Sequence, residues 1–246
     1  MIKHSLSDLQ ALPLVMISMS RWDGDFSSAA WSLAKTFAKD QVVIYVDYPY
    51  TLLDYVRERK DPRVKRRKPA LLGGKNAITH LKQYQPKLYA LTPPLMLPIN
   101  WLPKGALHKF FAAWNDRILA RSIQKALKQL GFSEFIFFNS FNPLYLSSLP
   151  RDFKPALFAY QSRDNIRALG PFLEKHGAKQ EIEAIQHADL SFATSCQLQQ
   201  DLQALSGQEV AHLPNAADFD LFKKAYEEEL PEPEELKGLK RPILGY

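Results

Sequence analysis

The segments Leu12-Pro13-Leu14-Val15-Met16-Ile17 and Val42-Val43-Ile44-Tyr45-Val46 are two short apolar runs separated by an amphipathic stretch. The second run is apolar on both faces, which is typical of a strand lying between two helix layers in a parallel sheet. The stretch between the runs begins at Ser27 or Ser28, either of which can cap a helix, and continues with apolar residues at helical spacing. The sequence therefore predicts a β-α-β unit at its start.

Similar runs continue along the chain and extend this unit. Further strands are predicted at 87–91, 135–138, 156–160, 190–193 and 210–213, and further helices at 108–130, 172–187 and 195–205. The segment 47–87 is expected to hold loops and short helices, and four prolines make 92–103 an extended apolar loop. Strands that alternate with helices predict an α/β fold with a doubly wound, mainly parallel sheet of about seven strands, similar to a Rossmann fold.

The composition indicates a globular protein and gives no sign of disulfides, metal sites or membrane-spanning helices. With 246 residues, of which 46% are hydrophobic and 12% aromatic, the chain can form one large α/β domain or two small ones. A single cysteine cannot form an internal disulfide, and no two histidines have metal-ligand spacing. No apolar run is long enough to span a bilayer. We therefore expect a cytoplasmic protein without a metal or other cofactor.

The net charge of +6 is concentrated in one segment, since the run from residue 57 to residue 68 has eight basic residues against two acidic ones. The basic residues are Arg57, Arg59, Lys60, Arg63, Lys65, Arg66, Arg67 and Lys68. Together with the apolar Pro-rich loop, they predict peripheral contact with the inner face of a membrane. The alternative is a solvated loop beside core-packing residues. Nucleic acid is not expected as a partner, because no aromatic residue lies within the run.

Two loops follow strands at the carboxyl edge of the predicted sheet, where ligands bind in such folds. Their candidate ligand-binding residues are Arg21, Trp22, Asp23, Gly24, Asp25 and Ser27 after the first strand, and Arg163 and Asp164 after the fifth. Arginine can pair with an anion, tryptophan can stack on a sugar, and a carboxylate can orient a hydroxyl group. The alternative for each loop is a helix cap or turn, which is also our interpretation of Asp47 and Asn139-Ser140.

The segment from Leu213 to Phe222 contains the pattern Pro-Asn-x-x-Asp-x-x-x-Phe, which resembles the hinge-side loop of GT-B glycosyltransferases, in particular the family 4 group. The resemblance implies that residues 1–225 form the N-terminal, acceptor-side lobe and that Pro214, Asn215 and Asp218 shape the hinge. Residues 226–242, rich in glutamate, would then be an interdomain linker. Residues 243–246 would begin a C-terminal lobe that binds the nucleotide sugar.

The family resemblance also implies an activity. Such enzymes transfer a sugar, here of hexosyl type, from a nucleotide-diphosphate sugar to a saccharide or lipid-linked acceptor with retention and without metal, for example in polysaccharide biosynthesis. The 246-residue chain alone is expected to be inactive, because the donor groups lie in the second lobe. Two alternatives remain open: a non-catalytic module that binds a membrane or a partner protein, and another Rossmann-like enzyme that uses Asp23, Asp25 or Asp164.

Overall fold

The computed structural model describes residues 5–25, 27–103, 105–216, 219–229, 231–240 and 242. The strands are β1 (Leu14–Ser18), β2 (Val43–Val46), β3 (Ile78–His80), β4 (Leu88–Leu91), β5 (Ile136–Ser140), β6 (Leu157–Ser162), β7 (Leu190–Ala193) and β8 (Ala211–His212). The helices are α1 (Leu6–Ala11), α2 (Ala29–Phe37), α3 (Leu52–Glu58), α4 (Pro62–Gly73), α5 (Ala106–Gln129), α6 (Ala178–His187), α7 (Cys196–Ser206) and α8 (Phe219–Glu227).

Within the described residues the strands form one eight-stranded sheet in the order β3-β4-β2-β1-β5-β6-β7-β8. All neighbouring strands are parallel except the antiparallel pair of β3 and β4. The chain moves outward from β1 through β2 to β4 and then returns to β5 on the other side of β1. This reversal creates a crevice between the carboxyl ends of β1 and β5, where doubly wound folds bind ligands. The predicted α/β fold class is confirmed.

The described sheet agrees with the predicted total of about seven strands and has one strand that was not predicted. The additional strand, β3, spans only three residues and pairs Ile78 with Leu91 at the edge of the sheet. It is short, polar in part and antiparallel, so it lacks the continuous apolar pattern by which the other strands were recognised. The segment 47–87 also contains the predicted short helices, α3 and α4.

The core lies on both faces of the sheet, because successive strand residues point to opposite sides. On one face, Ile44 and Val46 of β2 belong to a cluster that includes Leu119, Ile123 and Leu127 of α5. On the other face, Val43 and Tyr45 pack in a cluster with Ala30, Trp31 and Ala34 of α2. The strand predicted at 42–46 is therefore buried between two helix layers, as its composition indicated.

The chain divides into two compact units, Met1–Pro214 and Asn215–Tyr246. The first contains the sheet, and the second contains α8 and a short 3₁₀ turn at Glu234–Leu236. Helix α8 thus lies on the C-terminal side of this division, and the predicted domain boundary after residue 225 stays a prediction. The predicted hinge residue Asp218 and the predicted strand at 243–246 lie outside the described residues, and the assignment of a linker stays a prediction.

Candidate functional site

A belt of buried polar side chains lies at the carboxyl edge of the sheet. Its members follow or end β1, β2, β4, β5 and β6, and they are Ser18, Asp47, Thr92, Asn139, Ser140, Asn142, Gln161 and Ser162. Buried polar groups need hydrogen-bond partners, and here most of the partners come from neighbouring strand ends. Three of them, Asp47, Asn139 and Ser140, are residues for which the sequence predicts a role in caps or turns.

An ion-pair network, the Asp47–Arg67–Asp23 network, occupies the edge next to β2. The Arg67 Nε atom lies 2.9 Å from Asp47 Oδ2, and its Nη2 atom lies 2.6 Å from Asp23 Oδ1. Asp47 also accepts hydrogen bonds from Thr92 Oγ1 at 3.0 Å and from the backbone N–H of Trp22 at 3.3 Å. Arg66 forms a further ion pair with Asp23. The network joins α4 to the loops after β1 and β2.

The charges of this network stabilise one another in the folded state. Full burial raises the pKa of Asp47, although Arg67 and Thr92 act in the opposite direction. Burial also acts to lower the pKa of Arg67, but Asp23 and Asp47 outweigh it and raise that pKa. For Asp23, the hydrogen bond and charge of Arg67 overcome the effect of burial, so its pKa is lowered. Each buried charge of the network therefore has an opposite charge beside it.

Arg67 was not recognised as a site residue, because the sequence analysis assigned the whole basic run to a surface. In the structure its side chain is 4% exposed, whereas that of Arg66 is 59% exposed. Arg67 lies three residues after Val64 and four before Leu71, both of which are buried on the same side of α4. That helical spacing of an arginine between two apolar residues is the signal that predicts its inward orientation.

The other candidates after β1 make contacts within the protein. Arg21 donates from Nε to the carbonyl of Tyr48 at 3.0 Å, and its guanidinium lies 3.5 Å from the centre of the Tyr50 ring. Trp22 packs near Trp31 and Tyr84. Gly24, Asp25 and Ser27 are exposed. Asp25 pairs with Arg63 at 2.9 Å, and Gly24 donates its N–H to the carbonyl of Arg21. Ser27 directly precedes Ser28, the N-cap of α2. Their contact with a ligand stays a prediction.

A cluster of hydroxyl groups connects β1, β2 and the start of α2. Tyr45 Oη lies 2.7 Å from Ser18 Oγ and 2.6 Å from Ser20 Oγ, and Ser20 Oγ lies 2.8 Å from Ser28 Oγ. Ser28 is the N-cap of α2, since its hydroxyl accepts the backbone N–H of Trp31 at 3.1 Å. The N-terminus of a nine-residue helix, which favours negative charge, is thus lined by hydroxyl groups that can bind a polar ligand.

Arg163 lies at the end of β6 beside the crevice between β1 and β5. Its guanidinium donates to Ser140 Oγ and lies 3.4 Å, through Nε, from Gln161 Oε1. Ser140 is in turn the direct neighbour of Ser18 in the pairing of β5 with β1. The backbone of Arg163 is fixed as well, because its carbonyl accepts the hydroxyl of Thr194 at 2.6 Å.

The charge of Arg163 has no ion-pair partner among the described residues, although the side chain is half-buried. Burial lowers the pKa of its guanidinium, with Tyr45 and Asp164 acting in the opposite direction. The exposed Asp164, the other candidate of this loop, contributes only this electrostatic interaction to the site. A held, partly desolvated guanidinium without a carboxylate can bind a phosphate or carboxylate group of a ligand.

The loop after β5 connects the two sides of the crevice. Phe141 has a φ of 63°, a left-handed conformation that is uncommon for a residue with a bulky side chain. The turn allows the side chain of Asn142 to donate to the carbonyl of Ser18 at 3.0 Å, while Asn139 and Asn142 exchange two hydrogen bonds of 2.8 Å. Backbone strain of this kind is concentrated at functional sites. The left-handed turn at Phe141, a conformation that glycine adopts most readily, is therefore stabilised here by the hydrogen bonds of Asn139 and Asn142.

Two further carboxyl groups have no ion pair within the described residues, the half-buried Asp116 and the buried Glu181. Asp116 of α5 accepts the N–H of Leu146 at 2.9 Å, and burial raises its pKa to about 7. Glu181 of α6 accepts hydrogen bonds from Ser162 at 2.7 Å and from Tyr160 at 3.2 Å, and burial raises its pKa. Raised carboxyl pKa values beside a crevice are a feature of sites that move protons or bind ligands.

The remaining predictions concern the hinge, metals and membrane spans. Pro214 and Asn215 are exposed and lie on either side of the division between the two units. In the part of the chain that the structure describes, no three histidine, cysteine or acidic side chains are grouped as metal ligands. Over the same residues, no helix combines the length and the apolar character needed to cross a bilayer.

Comparison with known proteins finds likeness in structure but not in sequence. No family model and no curated protein matches the sequence. Among solved structures, the fold is similar to that of a sucrose-phosphate synthase from Thermosynechococcus elongatus, with 12% sequence identity and a TM-score of 0.48. The match covers 87% of this chain and 95% of that chain.

Proposed function

We propose that this chain is the acceptor-side lobe of a retaining glycosyltransferase that transfers a sugar from a nucleotide-diphosphate sugar to a saccharide or lipid-linked acceptor. The observation that carries the proposal is the half-buried guanidinium of Arg163, which Ser140 and Gln161 hold at the sheet reversal without a carboxylate partner. The sequence pattern from Pro214 to Phe222 and the doubly wound sheet support the same proposal.

The chemistry of the crevice fits a phosphorylated and hydroxyl-rich ligand. A guanidinium forms two parallel hydrogen bonds with a phosphate, and a group already fixed in position can stabilise negative charge as it develops on a leaving diphosphate. The partly exposed hydroxyl groups of Ser20 and Ser28 can exchange hydrogen bonds with sugar hydroxyls, and the buried hydroxyl groups of Ser18 and Tyr45 hold Ser20 in place. Arg163 is therefore the proposed anion-binding residue, and the hydroxyl cluster is the proposed sugar-binding surface.

In such an enzyme a second lobe binds the nucleotide, so we expect no sugar transfer by the 246-residue chain alone. Binding is the measurement that tests the lobe itself. Isothermal titration with glucose 1-phosphate and with UDP-glucose should give affinities that fall about tenfold to a hundredfold in R163M, because a hydrogen bond to a charged group contributes about 1.5–3 kcal/mol.

The matched control is R151Q, which removes an exposed arginine elsewhere on the same unit. It should bind both compounds as the unchanged chain does. Equal affinities for R163M and the unchanged chain would contradict the role of Arg163, and so would a failure of the unchanged chain to bind either compound at millimolar concentration.

A second candidate function is that of a peripheral membrane module. One observation favours it: helix α3 exposes Leu52, Leu53 and Val56 next to basic residues. Three of the eight basic residues of the 57–68 run are engaged elsewhere, because Arg63, Arg66 and Arg67 pair with carboxylates. The other five are exposed and form no ion pair within the described residues: Arg57, Arg59, Lys60, Lys65 and Lys68.

A further inference from the structure

Helix α5 carries large apolar side chains on its outward surface. Leu107, Phe110 and Trp114 are 58%, 57% and 49% exposed, and Trp101, which precedes the helix, is 74% exposed. The inward surface holds Leu119, Ile123 and Leu127, so the core does not need the outward side chains. The apolar stripe predicted from the sequence is therefore divided between two sides of α5.

Basic residues continue the same outward line toward the end of the helix. At 100° per residue, Arg117, Arg121 and Lys128 project within about 20° of Phe110, and Lys125 lies close to them. Helix α5 has five basic residues, namely Lys109, Arg117, Arg121, Lys125 and Lys128, and one acidic residue, Asp116, whose carboxylate accepts the N–H of Leu146. None of the five forms an ion pair in the described part of the chain. The outward surface of α5 is thus aromatic near the start of the helix and positively charged near its end.

A cavity opens along the flank of this helix. It has a volume of about 260 Å³ and lies among α4, β4 and α5, lined by apolar side chains such as Ile78, Leu91 and Ile118. Arg121 and Lys125 also line it. The volume is just below the roughly 300 Å³ at which small-molecule sites begin, so it can take part of a larger amphipathic molecule.

We propose that the outward surface of α5, together with Trp101, binds an anionic lipid surface. Tryptophan rings favour the headgroup level of a bilayer, and arginine and lysine attract anionic headgroups. The flanking cavity supplies an apolar recess beside two of these basic residues, which fits part of one lipid molecule. This surface has more aromatic residues than the one formed by α3 and α4, and it lacks an exposed acid such as Glu58. The proposal is independent of the role of Arg163.

The test is co-sedimentation of the purified chain with phosphatidylcholine vesicles, with and without about one third phosphatidylglycerol. We expect binding to the anionic vesicles only. Each surface lysine or arginine contributes about 1 kcal/mol, so R117Q/R121Q should bind roughly thirtyfold more weakly. F110S/W114S should also lose most of its binding, because the apolar contribution is removed.

The matched control is K39Q/K82Q, which removes the same charge from exposed positions outside α5 and outside the 57–68 run, neither of which forms an ion pair within the described residues. Its vesicle affinity should change by less than about threefold, which is less than the loss expected from removing a single lysine or arginine that contacts headgroups. Circular dichroism and melting temperature confirm that each variant is folded. The proposal is overturned by equal binding to both vesicle types, by unchanged binding of either α5 variant, by an equal loss in K39Q/K82Q, or by no binding. Self-association that F110S/W114S abolishes, without vesicle binding, would overturn it in favour of a second copy as the occupant.

Discussion

Buried or half-buried arginine side chains on the two sides of the sheet reversal differ in whether they have a carboxylate partner. On the β2 side, Arg67 lies between Asp47 and Asp23, and each charge has an opposite partner. On the β6 side, the guanidinium of Arg163 contacts a hydroxyl and an amide, and the carboxyl group of Glu181, which accepts from Ser162 of β6, has no ion pair within the described residues.

This difference separates a structural role from a binding role. The ion pairs of Arg67 with Asp23 and Asp47 fix the loops after β1 and β2 onto α4. Because these charges already neutralise one another, they attract a charged ligand only weakly. Unpartnered charges are unfavourable in the free protein and become favourable when a ligand supplies the missing charge. Two arginines at the same edge of one sheet can therefore be distinguished by mutation.

The largest effect is expected at Arg67. The variant R67M leaves Asp47 and Asp23 without their shared partner, so the free energy of unfolding should fall by about 3–5 kcal/mol in urea denaturation. R66Q, at a mostly exposed position of the same helix, should lose less than about 1 kcal/mol. A loss at Arg67 no larger than at Arg66 would show that the network does not stabilise the fold.

An intermediate effect, dependent on pH, is expected at Asp116. Its pKa rises from 3.8 to about 7 on folding, so the folded chain keeps a proton that the unfolded chain releases. The associated stability is present below pH 3.8 and is lost as the pH rises to about 7, at up to about 1.4 kcal/mol per pH unit.

The variant D116N tests this pH dependence, because the neutral amide can still accept the N–H of Leu146. Its unfolding free energy relative to the unchanged chain should increase from pH 4 to pH 7, as measured by urea denaturation at each pH. D152N, at an exposed acid, should show no such trend. A pH-independent difference for D116N would mean that Asp116 is ionised throughout.

The smallest effect on stability is expected at Arg163. R163M removes a partly desolvated charge that has no ion pair within the described residues, so its unfolding free energy should change by less than about 1 kcal/mol or increase. Urea denaturation beside R67M gives the comparison directly. If R163M were as destabilised as R67M, Arg163 would be a structural residue like Arg67.

The fold was largely predictable, because strands such as Val43–Val46 are apolar on both faces and their caps, including Ser28, have the expected residue types. The edge strand β3 was missed, since three partly polar residues have no distinctive pattern. The site was less predictable. Arg163 could be named from its position after a strand, but the pairing of Arg67 with Asp23 and Asp47 joins residues 20 and 44 positions apart. Contacts of that kind depend on the folded arrangement rather than on local pattern.

The central claim is that Arg163, and not Arg67, is held ready for an anionic ligand. The most direct test is a titration of the folded chain with inorganic pyrophosphate, following the arginine side-chain Nε–H signals by nuclear magnetic resonance. The account predicts a saturable shift of the Arg163 signal while the Arg67 signal stays in place. A shift at Arg67 alone, or no change at Arg163 up to millimolar pyrophosphate, would contradict it.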